Sequence, residues 1–160
     1  MSLSYTHPSQ PEPTWLAPAI DQGTDVQILR NIGGKPLRVH ANLIAEGSNR
    51  AQEGGPWHEI ALYRTDSGQI AVALRLVGPG AASLGVHRAR LFPHLDEAAS
   101  WLESFDPAAD MAVDFDVSDQ AVSVASMALQ AAALRERAVC LERAYRGLVG
   151  EVLFQLALAG

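Results

Sequence analysis

The chain has a single cysteine, Cys140, so an internal disulfide is unavailable. With 160 residues it can still bury a core as one domain, and a lone thiol fits a reducing cytoplasm, which is the expected setting. No apolar run approaches the length of a membrane span, and no charged segment followed by an apolar core opens the chain. Neither a transmembrane helix nor a secretory signal is therefore expected. Basic residues are the scarcer charge, 12 against 18 acids, for a net charge of −6. Such a surface repels polyanions at long range, which argues against indiscriminate binding to nucleic acid or anionic membranes. The imbalance is uneven. Residues 25–92 carry eight bases against five acids, whereas residues 93–160 carry four bases against eleven acids. A local anion-binding surface in the middle section stays open.

Catalytic and cofactor motifs are also missing. There is no Gly-x-Ser-x-Gly elbow. Gly78-Pro79-Gly80-Ala81-Ala82-Ser83 imitates the start of a dinucleotide fingerprint, but Gly85 and a strand-like segment follow where a helix should open. Gly34-Lys35 lacks the remaining residues of a P-loop. His7, His40, His58, His87 and His94 show no ligand spacing, and His58-Glu59 has no second histidine three positions on. Asp114, Asp116 and Asp119 suggest a cation loop, yet Gln120 stands where a calcium loop needs glycine. No metal and no cofactor are expected. An enzyme would need a dispersed site, with His40 or His58 as its candidates.

What is present is alternation followed by helical periodicity. The first 24 residues contain Pro8, Pro11, Pro13 and Pro18, and read as an extended arm that Trp15, Leu16 and Ile20 could pin to a surface. Over 37–46 one parity is Leu37, Val39, Ala41, Leu43 and Ala45, and the other is largely polar, which predicts a strand with one buried face. Gly33-Gly34-Lys35-Pro36 is a turn, so 26–30 is the preceding strand. The segments 57–65 and 69–77 flank Asp66-Ser67-Gly68, a hairpin connection, and 84–91 is a fifth strand. No helical pattern separates these strands, so an antiparallel meander is expected rather than β-α-β units. Leu95, Ala98, Leu102 and Phe105 then mark one face of a helix lying across the sheet. The expected fold is thus α+β: residues 25–105 hold the sheet and helix, 106–117 form an acidic linker, and 118–158 form a long C-terminal helix.

That last segment carries the strongest pattern. Ser118 and Asp119 suit a helix start, and no proline or glycine follows until Gly147. One heptad position reads Val124, Ala131, Ala138, Tyr145, Val152, and the other reads Met127, Leu134, Leu141, Leu148, Gln155. This is a coiled-coil-like seam. At roughly 1.5 Å per residue an unbroken helix would reach about 60 Å, longer than a domain of this size is wide. The seam residues, Gln155 excepted, are expected to form an oligomer interface, with a homodimer as the default. A break at 147–150, giving two helices that fold back together, is the alternative.

By parity Arg38, His40 and Asn42 share a strand face, Trp57 and Tyr63 share another, and Arg75 lies on a third. Aromatic residues beside arginines suit single-stranded DNA or RNA, where bases stack and guanidiniums meet phosphates. The order of strands then helix resembles, in architecture only, the Whirly-type single-strand-binding domains, which act as dimers. More locally, Gly34-Lys35-Pro36-Leu37-Arg38, Leu43-Ile44-Ala45-Glu46-Gly47-Ser48 and Trp57-His58-Glu59-Ile60 with Leu62-Tyr63-Arg64-Thr65 resemble a pattern in short uncharacterised bacterial proteins, some carried on plasmids or mobile elements. That resemblance spans about residues 30–76 and transfers no activity and no site. The function expected from the residues is a non-enzymatic binding or assembly module, self-associating through its terminal helix, with single-stranded nucleic acid as a narrower alternative and no membrane partner.

Overall fold

Alternation over residues 26–92 becomes five strands: β1 Val26–Leu29, β2 Leu37–Ser48, β3 Trp57–Thr65, β4 Ile70–Val77 and β5 Val86–Phe92. Two α-helices follow, α1 Leu95–Ser104 and α2 Val124–Ala159, with a 3-10 turn Pro107–Asp110 between them. The computed structural model describes residues 25–50, 55–78, 85–111 and 123–159. The expected N-terminal arm and the second half of the acidic linker, residues 112–117, lie outside them. The strands form one antiparallel sheet in the order β1-β2-β3-β4-β5, because each short connection returns the chain beside the strand it has just left. Fold class and strand order are as expected. Among the described residues no helix is long and apolar enough to cross a membrane.

Two features bend this sheet. Beyond β1, the Ile32 N–H donates to the His87 carbonyl at 2.7 Å, and the Ala89 N–H donates to Asn31 Oδ1 at 3.4 Å. The far edges of the meander therefore approach each other. In β2 the register passes from Leu43↔Tyr63 to Ala45↔Leu62, so two residues oppose one. This bulge corrects the expected single buried face of residues 37–46. Leu37, Val39 and Ala41 pack on one side of the sheet, whereas Ile44 and Ala45 pack on the other, beneath the helices.

The helix-covered side holds the larger core. Ile60, Leu62, Val72 and Leu74 meet Ala98 and Leu102 of α1 and Tyr145, Leu148 and Val152 of α2. The buried Tyr145 hydroxyl donates to the Leu102 carbonyl at 2.8 Å, tying the two helices together. A Cβ on Gly47 would lie 2.8 Å from both Leu148 Cδ1 and Val152 Cγ2, so α2 rests directly on the β2 backbone at that point. The opposite side carries a smaller cluster in which Leu29, Val39, Ala41 and Ala71 meet Tyr63, Ala89 and Leu91. Side chains from all five strands share this one cluster, which requires the face to be concave.

The acidic linker differs from expectation at its start. Asp106 caps the 3-10 turn by accepting from the Ala108 N–H at 2.9 Å. Pro107 is buried, and Asp110 takes the Arg88 Nε at 2.8 Å within a two-point ion pair. This part of the linker is therefore a packed turn held to β5.

α2 runs unbroken for 36 residues, about 54 Å at 1.5 Å per residue. Its described start is capped by Ser123, whose Oγ accepts from the Ser126 N–H at 3.2 Å; Ser118 and Asp119 lie outside the described residues. Gly147 and Gly150 do not break it. Both face away from the sheet, and Tyr145, Leu148, Val149 and Val152 anchor the intervening turns. That anchorage outweighs the roughly 1 kcal/mol each glycine costs a helix.

Candidate functional site

Cross-strand register places chemistry on the concave face. Ser48 pairs with Glu59, Glu59 with Arg75, and Arg75 with His87, making one polar row across β2 to β5. The adjacent row reads Glu46, Ala61, Ala73, Ala89. Alanines leave open the volume that larger side chains would fill, and a cavity of about 680 Å³ lies over both rows, with Ile28, Leu29 and Arg30 forming a wall. Its size falls within the range of small-ligand sites, about 300–1,000 Å³.

Glu59 is already engaged. It accepts from Trp57 Nε1 at 3.1 Å and from Arg75 Nη1 at 3.3 Å, and the Arg50 guanidinium stacks over the Trp57 ring at 4.9 Å. Arg75 is not fully used, since its buried Nε has no partner among the described residues. It runs against Gly85, where a Cβ would stand 3.1 Å from that Nε and 2.9 Å from the Leu76 carbonyl oxygen. Gly85 adopts φ +45°, so glycine serves both the backbone turn and the passage of the arginine. Burial holds the His87 imidazole below its ordinary pKa, and Arg75 and then Arg30 push the same way, with Glu59 opposing them more weakly. His87 is thus a neutral ring in a locally positive field. One row further along β3, burial raises the Tyr63 phenol, and the Glu46 carboxylate adds to it.

The six residues expected on a common binding face are divided. Trp57, Tyr63 and Arg75 are on the concave side. Arg38, His40 and Asn42 are on the opposite side of the sheet, because Asn42 pairs with Arg64 while its neighbour Leu43 pairs with Tyr63. They stand beside the exposed Val26 and Ile28. Parity within one strand does not say which parity of the next strand shares its face, and that is why grouping the polar sides failed. His58, considered for a dispersed enzyme site, points into the helix-side core. It is 1% exposed, its ring lies edge-on to Tyr145 at 5.0 Å, and neither ring nitrogen has a hydrogen-bond partner among the described residues. Asp114, Asp116 and Asp119 lie outside the described residues.

Glu46, Ser48, His87 and Arg30 escaped the sequence reading as site residues. One signal was available: a tight connection after Thr65 fixes the β3–β4 register, which sets Glu59 against Arg75. No comparable constraint was legible for His87 or Arg30, which join the site only because the sheet curls.

The predicted oligomer seam is divided as well. Leu141, Tyr145, Leu148 and Val152 are buried in the chain's own core, which corrects their expected place against a partner chain. Val124, Met127, Ala131, Leu134 and Ala138 lie on the preceding half of α2, where no residue from 124 to 140 is buried. Over that stretch only Arg135, Glu136 and Arg137 are charged. Val124 and Leu129 are 80% and 72% exposed.

Compared with known protein families, curated proteins and solved structures, the chain has no significant match.

Proposed function

We propose that the protein is a non-enzymatic binding and assembly module that pairs with a second copy of itself through residues 124–140 of α2. The observation that supports this reading is an unbroken helix whose second half is anchored in the core and whose first half is both apolar and uncovered. Anchorage solves the nucleation problem, because the docked half supplies the turns from which the free half extends. A free half with twelve apolar residues in seventeen leaves an apolar surface that a partner would cover. Ala131 and Ala138, on either side of Leu134 along the seam, let a second helix approach closely. Twofold pairing is favoured because it covers both copies with one self-complementary contact.

Sedimentation equilibrium of the full chain tests this. The wild type should show a concentration-dependent dimer, and Leu134→Glu should sediment as a monomer with unchanged helical circular dichroism. A wild type that stays monomeric at its highest soluble concentration refutes the pairing.

A further inference from the structure

We infer that the cavity on the concave face, where the row Ser48, Glu59, Arg75, His87 meets Arg30, binds a small organic anion that carries an apolar body. The apolar part is accommodated by the Ala61–Ala73 floor and by Leu29 on the wall. These side chains offer surface without polar groups that would need partners, and the space above them is already empty.

The charged end is specified by what remains unsatisfied. Three arginines and two carboxylates line the cavity, but Arg88 is committed to Asp110, so net charge alone does not choose a ligand. Their engagement does. Glu59 is held by Trp57 and Arg75, which leaves it little capacity to receive a cation. The Arg75 side chain stays 42% exposed beyond its single Nη1 contact with Glu59, and Arg30 has no ion pair among the described residues. At His87, moreover, each of the two guanidiniums has a larger effect than Glu59. An anion placed there would accept from Arg30 and Arg75 and from the neutral imidazole N–H, in a site partly withdrawn from water where such hydrogen bonds are strong. Glu46 lines the other row and opposes a second negative group, so the ligand should be charged at one end only. Carboxylate and phosphate share the required chemistry.

The test uses the full chain, labelled for NMR of its histidine rings, with hexanoate as probe. Hexanoate should bind saturably, shift the His87 ring signals, and raise the His87 pKa toward its ordinary value. Removing one charged donor with Arg30→Gln, an exposed position on the wall, should weaken binding about tenfold, the low end of what a charged hydrogen bond contributes. Ala73→Phe should abolish binding by filling the floor, while the urea midpoint stays close to that of the wild type. Tighter binding of hexyl phosphate than of hexanoate supports the site and assigns phosphate as its natural group; the reverse order supports it and assigns carboxylate. No saturable shift at His87 overturns the site. Equal binding of hexanol or hexylamine overturns its anion selectivity. Leu134→Glu should leave hexanoate binding intact, so this inference and helix pairing fail separately.

Discussion

His58 makes acid stability a quantitative test of how α2 docks on the sheet. Its ring is enclosed between β3 and Tyr145 with no hydrogen-bond partner among the described residues, so a protonated imidazolium would have neither water nor a counter-charge in contact. Burial therefore lowers its pKa from 6.5 to about 4, against a smaller upward pull from Asp110. The unfolded chain binds its proton near pH 6.5 and the folded chain near 4, so between these values the unfolded state holds more protons. Stability is then fully present above pH 6.5 and falls as the pH drops toward 4. A difference of about 2.5 units at 1.36 kcal/mol each corresponds to roughly 3 kcal/mol, a large share of the 5–15 kcal/mol typical of a folded domain. Urea unfolding at several pH values from 7.5 to 4 measures this. His58→Leu, similar in volume and without a titrating group, should lose stability less steeply over the same window, by roughly 3 kcal/mol in total. Parallel pH profiles for wild type and variant would refute the reasoning, because His58 would then titrate alike in both states.

Gly47→Ala should destabilise the fold by about 1–3 kcal/mol, since its Cβ would press on two core side chains at once; Val152→Ala in the same chain should relieve part of that loss, and a strictly additive pair of urea midpoints would count against direct contact. Tyr145→Phe should cost about 1–2 kcal/mol by leaving the buried Leu102 carbonyl without its donor, measured by thermal unfolding. The Leu134→Glu variant should lose the dimer's mass and unfold at the midpoint of the wild type diluted below its dimerisation range, because Leu134 lies outside the core. Arg30→Gln should raise the His87 pKa even without ligand, since it removes one of the charges that depress it; an unchanged NMR titration would place Arg30 too far away to act.

Local elements were readable because their causes are local. β3 follows from its own alternation and from the Asp66-Ser67-Gly68 turn. α1 follows from the spacing of Leu95, Ala98 and Leu102, with Asp96 and Glu97 in its first turn. The site was legible only in part. Trp57, Tyr63 and Arg75 were picked out by residue type and do lie on the concave face, whereas Arg38, His40 and Asn42 look alike in the sequence and lie across the sheet. The bulge in β2 has no compositional mark, yet it reverses the face on which Ala45 packs. In the same way, the heptad pattern of α2 is continuous, and nothing in it marks where intramolecular packing stops.

Residue order alone determined that this chain alternates, turns and then becomes one long helix, because periodicity, turn chemistry and helix propensity act within a few neighbouring residues. The tertiary structure decided how the apolar surfaces are shared. Tyr145, Leu148 and Val152 serve the chain's own core and Met127 and Leu134 do not, because only the second half of α2 reaches the sheet. It also decided that Arg30, from the first strand's end, meets His87 from the fifth. That meeting depends on curvature summed over the whole sheet, a property that no single segment carries.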